Sequence, residues 1–160
     1  MEEKILYTPW RIEYILSNKE KSCIFCFDEI DDDKHFVVYR SKHCYVILNM
    51  FPYNNGHIMI IPNKHISKLS ELDSLEILDL FDTVKLSENI LQKAYKPEGF
   101  NIGINIGKVA GAGIADHLHV HLVPRWGGDT NFMSSCGGFR LIPENLHDTF
   151  NKLKSIFIIN

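Results

Sequence analysis

The segment His117-Leu118-His119-Val120-His121-Leu122 constrains this chain more than any other. Imidazole and aliphatic side chains alternate at strict period two. A strand accommodates that pattern because successive side chains leave opposite faces. The three histidines therefore share one face, while Leu118, Val120 and Leu122 point the other way into a core. Such a strand needs a sheet with one buried face and one face kept for polar chemistry.

The rest of the chain supplies partners for it. His35–Arg40 and Cys44–Asn49 are β-branched or aromatic runs separated by a short polar turn, which predicts a hairpin. Phe51–Gly56 reads as a turn, and His57–Ile61 as a strand ended by Pro62. Ser70 is the expected N-cap of a long helix running to about Tyr95, with Asp73 at the capping-box position. Leu72, Leu75, Leu78, Phe81 and Val84 keep a helical period along one side. Leu80 and Leu86 lie beside that stripe, so a second apolar face is expected. Lys96-Pro97-Glu98-Gly99 stops the helix. A strand over Phe100–Ile106, a glycine-rich turn over Gly107–Gly113 and the triad strand 117–123, closed by Pro124, follow. Leu146, Phe150, Leu153 and Phe157 predict an amphipathic C-terminal helix over about 143–157. The expected fold class is α+β: one domain over 1–160, mainly antiparallel sheet, one long inserted helix and one terminal helix.

Composition excludes several functions. A formal charge of −3 with no basic block argues against duplex nucleic acid as a partner, since that affinity rests on clustered Lys and Arg. No window approaches the 18 apolar residues of a membrane span. The opening Met1-Glu2-Glu3-Lys4 lacks an apolar leader, so the cytoplasm is the expected compartment. The cysteines Cys23, Cys26, Cys44 and Cys136 then read as thiols or metal ligands, not disulfides. The stretch from Asp28 to Lys34 reads as a solvated acidic loop.

A row of three imidazoles admits two chemistries. It can hold a catalytic metal, since zinc accepts neutral imidazole nitrogen. Alternatively, one ring attacks phosphorus while its neighbours contact phosphate oxygens, because a pKa near about 6.5 leaves a neutral nitrogen available. Cys23-Ile24-Phe25-Cys26 is equally open on its own: a redox pair, half a zinc site or two buried thiols. No βαβ pattern surrounds it to favour redox work.

The surroundings narrow the choice. His117-Leu118-His119-Val120-His121-Leu122-Val123-Pro124-Arg125, together with Asn49-Met50-Phe51-Pro52-Tyr53-Asn54-Asn55-Gly56-His57 and Ile60-Ile61-Pro62-Asn63-Lys64-His65, resembles the histidine-triad (HIT) family over most of the chain. The resemblance implies a two-fold homodimer and a nucleoside phosphate substrate, adenine-containing, handled through a nucleotidyl-histidine. It implies His119 as nucleophile, with His117 and His121 as its catalytic neighbours. Asn49 would meet the ribose, Asn105 and Lys108 the phosphates, and Arg125 would neutralise charge from the rim. A turn role for Asn49 (an Asx turn at the strand end), a plain turn role for Asn105 and a solvated one for Lys108 compete with these.

Tyr7–Ile15 and Pro124–Phe132 are similar to bacterial members related to diadenosine tetraphosphate phosphorylases, which makes phosphate a possible acceptor beside water. One departure stands out. Many short HIT hydrolases carry Gln and Ser or Thr four and three residues before the first triad histidine; here Gly113 and Ile114 occupy those places. By the same likeness, Cys23, Cys26, His65 and His117 form a structural zinc site. Two alternatives oppose a hydrolase or nucleotidyltransferase: a non-catalytic nucleotide-binding member, and a metallohydrolase using all three triad histidines. His35, His43 and His147 read as surface residues, His57 as satisfying backbone groups, and Cys44 and Cys136 as passive.

Overall fold

A computed structural model describes residues 23–27, 31–130 and 142–159. Its frame is a five-stranded antiparallel sheet in the order β1-β2-β3-β5-β4. The strands are β1 (Val37–Arg40), β2 (Cys44–Leu48), β3 (Ile58–Pro62), β4 (Gly99–Ile104) and β5 (Val120–Arg125). Two helices, α1 (Ser74–Tyr95) and α2 (Leu146–Ile159), pack on one face. The expected α+β class and the mainly antiparallel sheet are what the chain adopts. Among the described residues, no helix is long and apolar enough to cross a membrane.

The central strands are buried on both sides, and their pleat divides two clusters. Cys44, Val46, Leu48, Ile58, Ile60, Val120 and Leu122 face the helices and meet Leu80, Val84, Ile90, Leu91, Phe150, Leu153 and Phe157. The alternate residues Tyr45, Ile47, Met59 and Ile61 join Val37 and Phe25 on the opposite face. The triad histidines lie on that second face, because Leu118, Val120 and Leu122 are committed to the first.

Several local expectations need correction. Helix α1 begins three residues later than a Ser70 cap implied. Residues Leu69–Glu71 wind into a 3-10 turn, and Asp73 is itself the N-cap, accepting from the N–H groups of Leu75 and Glu76 while Glu76 answers the N–H of Asp73. Of its two apolar faces, one is committed to the core. Leu80, Val84, Ile90 and Leu91 are buried, whereas Leu75, Ile77, Leu78 and Phe81 are exposed on the single chain. Helix α2 starts at Leu146 rather than Pro143, because the Asn145 side chain caps it by accepting from Asp148 N–H at 2.9 Å.

Strand β1 starts at Val37, not His35, since Phe36 turns through a left-handed φ of 56°. Strand β4 stops at Ile104 rather than Ile106, just before the Gly107 turn. At the triad, hydrogen-bonded pairing begins only at Val120 and continues through Pro124 to Arg125. Pro124 is tolerated because pairing with β3 has already ended at Leu122. The Tyr7–Ile15 segment, Phe132 and Cys136 lie outside the described residues.

Candidate active site and metal centre

Hydrogen bonds to partners far apart in the chain and to the strand's own backbone set the proton positions of the triad. His117 and His119 are 1% and 3% exposed, and their rings sit against Phe25 of the Cys-x-x-Cys loop, with centroids 5.7 and 5.3 Å away. His119 Nδ1–H donates to the carbonyl oxygen of His117 at 2.8 Å. A neutral imidazole carries one proton, so Nε2 of His119 is left with a free lone pair. That is the atom a nucleophile requires.

His121 is prepared the opposite way. The backbone N–H of Tyr53 can only donate, and it meets Nδ1 of His57 at 3.0 Å. His57 therefore carries its proton on Nε2, which lies 3.0 Å from Nδ1 of His121. His121 accepts there and keeps its own proton on Nε2. Burial, with His119 as the second cause, pushes the His121 pKa down to about 4. With both rings neutral the site thus offers one imidazole lone pair and, beside it, one imidazole N–H donor. The two rings meet edge-on at 4.9 Å.

His57 is a contact of the triad that the sequence reading undervalued. It does satisfy a backbone group, as expected, but it also orients His121. Its signal is register: Met59 pairs with His121 across β3 and β5, and His57 shares the Met59 face two residues earlier. Asn49 next to it is buried, and its side-chain oxygen accepts from Phe51 N–H at 2.8 Å, which is the Asx turn. Its amide nitrogen lies 3.4 Å from His57 Nε2.

The other expected contacts sit further out. Asn105 leans on the glycine turn through Gly111 O at 3.5 Å, and Lys108 is exposed in the short turn Lys108–Ala110. Arg125 is engaged: Asp129 takes its Nε and one terminal nitrogen, and Asn101 accepts from the other at 2.7 Å. Gly113 is exposed, and Ile114 packs beside the second cluster. Nor is every remaining residue passive. His35 stacks on Phe27 with ring centroids 4.0 Å apart, and buried Cys44 contacts Ser41, Asp79 and Thr83. His147 is exposed, against Phe36, and His43 gives its backbone N–H to Asp79.

Cys23, Cys26, His65 and His117 converge, with one ligand atom from each within 4.8 Å of the others. Sulfur-to-nitrogen separations are 3.4 Å for Cys23–His117, 3.3 Å for Cys26–His65 and 3.6 Å for Cys26–His117. Tetrahedral bonds of about 2.3 Å to sulfur and 2.0–2.1 Å to nitrogen span edges of roughly 3.5 Å. His117 Nε2–H donates to Pro62 O at 2.9 Å, which turns an unprotonated Nδ1 toward the thiols. The four residues can hold a metal ion, and the donor set and spacing fit it.

Comparison with known proteins agrees with this geometry. Residues 31–128 match the HIT domain. The chain is 40% identical over 154 residues to the "AP-4-A phosphorylase" of Mycobacterium tuberculosis, covering 90% of this chain and 79% of that relative. A second relative, the "Bis(5'-nucleosyl)-tetraphosphatase [asymmetrical]" of Schizosaccharomyces pombe, is 35% identical over 56% of this chain and 48% of its own length. Among solved structures, a Zn-bound histidine triad family protein from Mycobacterium smegmatis shares the fold at TM-score 0.68 and 23% identity, covering 87% of this chain and 95% of that one.

Proposed function

The chain belongs to the HIT domain family, and from that premise we propose that it cleaves dinucleoside polyphosphates of the diadenosine class through a nucleotidyl-histidine. One observation carries the reading: His119 and His121 are set by hydrogen bonds of the fold in complementary tautomers, an attacking Nε2 lone pair beside a donating Nε2–H. In the first step His119 Nε2 bonds to phosphorus and the bond to the leaving polyphosphate breaks. The His121 N–H stabilises the oxygen that leaves. In the second step an acceptor displaces His119 and the nucleotide departs. His117 takes no part in bond making, and its carbonyl holds the nucleophile. Asn49, Asn105, Lys108 and Arg125 border the nucleotide path.

The name of the mycobacterial relative supports phosphate as acceptor. Diadenosine tetraphosphate would then give ATP in the first step and ADP in the second. Cys23, Cys26, His65 and His117 hold a structural zinc, which supplies cross-linking and no chemistry on the substrate. A reducing compartment, the cytoplasm, suits such thiolates. The exposed Leu75, Ile77, Leu78 and Phe81 of α1 support a homodimer built on that face.

Product analysis tests the activity. ADP formed from diadenosine tetraphosphate only when inorganic phosphate is present identifies a phosphorylase, and AMP without phosphate identifies a hydrolase. His119→Ala should lower turnover by about three orders of magnitude or more while nucleotide affinity changes little. Near-normal turnover in that variant, or net inversion at phosphorus in the wild type, would exclude the two-step scheme.

A further inference from the structure

Beyond His121, the histidine face runs on into a cleft that the chemistry above does not use. Val123 and Arg125 continue the same face of β5, and in β4 Asn101 pairs with Val123 and Gly103 with His121. A Cβ placed on Gly103 would meet nothing within 4 Å, so the way from His121 is open on that side. Tyr53 stands on the other side, its ring 5.8 Å from that of His121. The resulting cleft has a volume of about 330 Å³, at the lower end of the roughly 300–1,000 Å³ typical of small-molecule sites.

Its electrostatics define what it can take. Among the described residues of the lining, the one cation, Arg125, is neutralised by the one anion, Asp129, through two of its nitrogens. Asn54 braces the same carboxylate at 2.8 Å, and Asn101 accepts from Arg125, which leaves the Asn101 amide N–H groups as donors. Among its described residues the cleft is therefore neutral, with an apolar floor at Val123, an aromatic wall at Tyr53 and amide groups along its edge. Phosphate would displace a satisfied ion pair to enter. A flat, uncharged heteroaromatic with hydrogen-bonding edges would not.

We propose that this cleft seats the distal nucleoside of the leaving group, with the polyphosphate passing His121 on its way from the scissile phosphorus. The inference rests on the function proposed above and names where the second half of the substrate lies. It makes Asn101 a determinant of substrate length, acting on binding of the leaving group and not on bond cleavage.

The test compares two substrates in the wild type and one variant: diadenosine tetraphosphate, and adenosine 5′-phosphoramidate, whose leaving group ends at the scissile bond. Asn101→Leu should raise KM for the dinucleotide about five- to twentyfold. The kcat/KM for the phosphoramidate should stay within about twofold, which also serves as the control for folding. Equal losses on both substrates, or no change on either, would overturn the cleft assignment while leaving the chemistry at His119 intact. A wild-type protein that cleaves neither substrate would sink the functional reading and the cleft assignment with it.

Discussion

His117 and His119 are joined by a 2.8 Å hydrogen bond from the Nδ1–H of His119 to the carbonyl oxygen of His117. The same His117 turns its own Nδ1 toward Cys23 and Cys26. One residue thus joins the candidate metal site through its side chain and the proposed nucleophile through its backbone. Phe25, carried between the two cysteines, packs on both rings, and Tyr45 Oη donates to its carbonyl at 2.7 Å. The Cys-x-x-Cys loop is therefore one wall of the candidate site.

Metal loss should be felt in both places. Purified protein should carry about one zinc per chain, and a strong chelator should lower the thermal midpoint, since structural metal binding is coupled to folding. Cys26→Ser should lose most of the zinc. Turnover should fall with zinc content and return on readdition. Metal analysis near zero in protein never exposed to chelator would contradict the site.

The tautomer relay through His57 predicts a split between variants. His57→Leu should reduce kcat by about ten- to a hundredfold, the cost typical of removing a group that orients another. His57→Gln, which keeps an N–H donor, should recover part of that loss. Nitrogen-15 NMR of the His121 ring provides the decisive readout: the wild type should show Nε2 protonated, and His57→Leu a mixture of tautomers. An unchanged His121 spectrum would rule the relay out.

Acid should weaken the fold through His121. An unfolded histidine takes up its proton near pH 6.5, while burial holds His121 to about 4. Between those values the unfolded chain binds more protons, so stability is full above about pH 6.5 and declines as pH falls toward 4. Urea midpoints at pH 7 and pH 5 should differ less in His121→Asn than in the wild type. Identical differences would show that His121 contributes nothing to acid sensitivity.

Association should depend on the outward face of α1. Leu78 and Phe81 are 58% and 50% exposed on the single chain, beside Leu75 and Ile77. A contiguous apolar face of this kind marks an interface more often than open surface. Light scattering should give twice 18.5 kDa for the wild type, and Phe81→Glu should shift it toward the monomer. A wild type that remains at 18.5 kDa at micromolar concentration would refute the dimer.

Much of this was legible in the residues. Period-two alternation at 117–122 determines by itself that three imidazoles share one face and three aliphatics the other, because a strand offers no other arrangement. Candidate metal ligands were legible only through resemblance, since a Cys-x-x-Cys loop does not reveal which histidines lie opposite it. Helix α1 was legible as a helix but not as an orientation. Both of its faces carry leucines, and only packing against the sheet chose Leu80 and Val84 over Leu75 and Leu78. Its start was misplaced because Ser70 and Asp73 are both competent caps, and the 3-10 turn at Leu69–Glu71 decides between them.

The sequence alone determined the residue types of the site and their common face, since local backbone geometry sets the alternation. Tertiary structure decided which nitrogen of each ring carries its proton. That choice depends on partners far apart in the chain: Pro62 for His117, and Tyr53 through His57 for His121. A proton position is set by whatever donor or acceptor the fold brings within about 3 Å. Strand register, not local sequence, brings His57 and His121 to that distance.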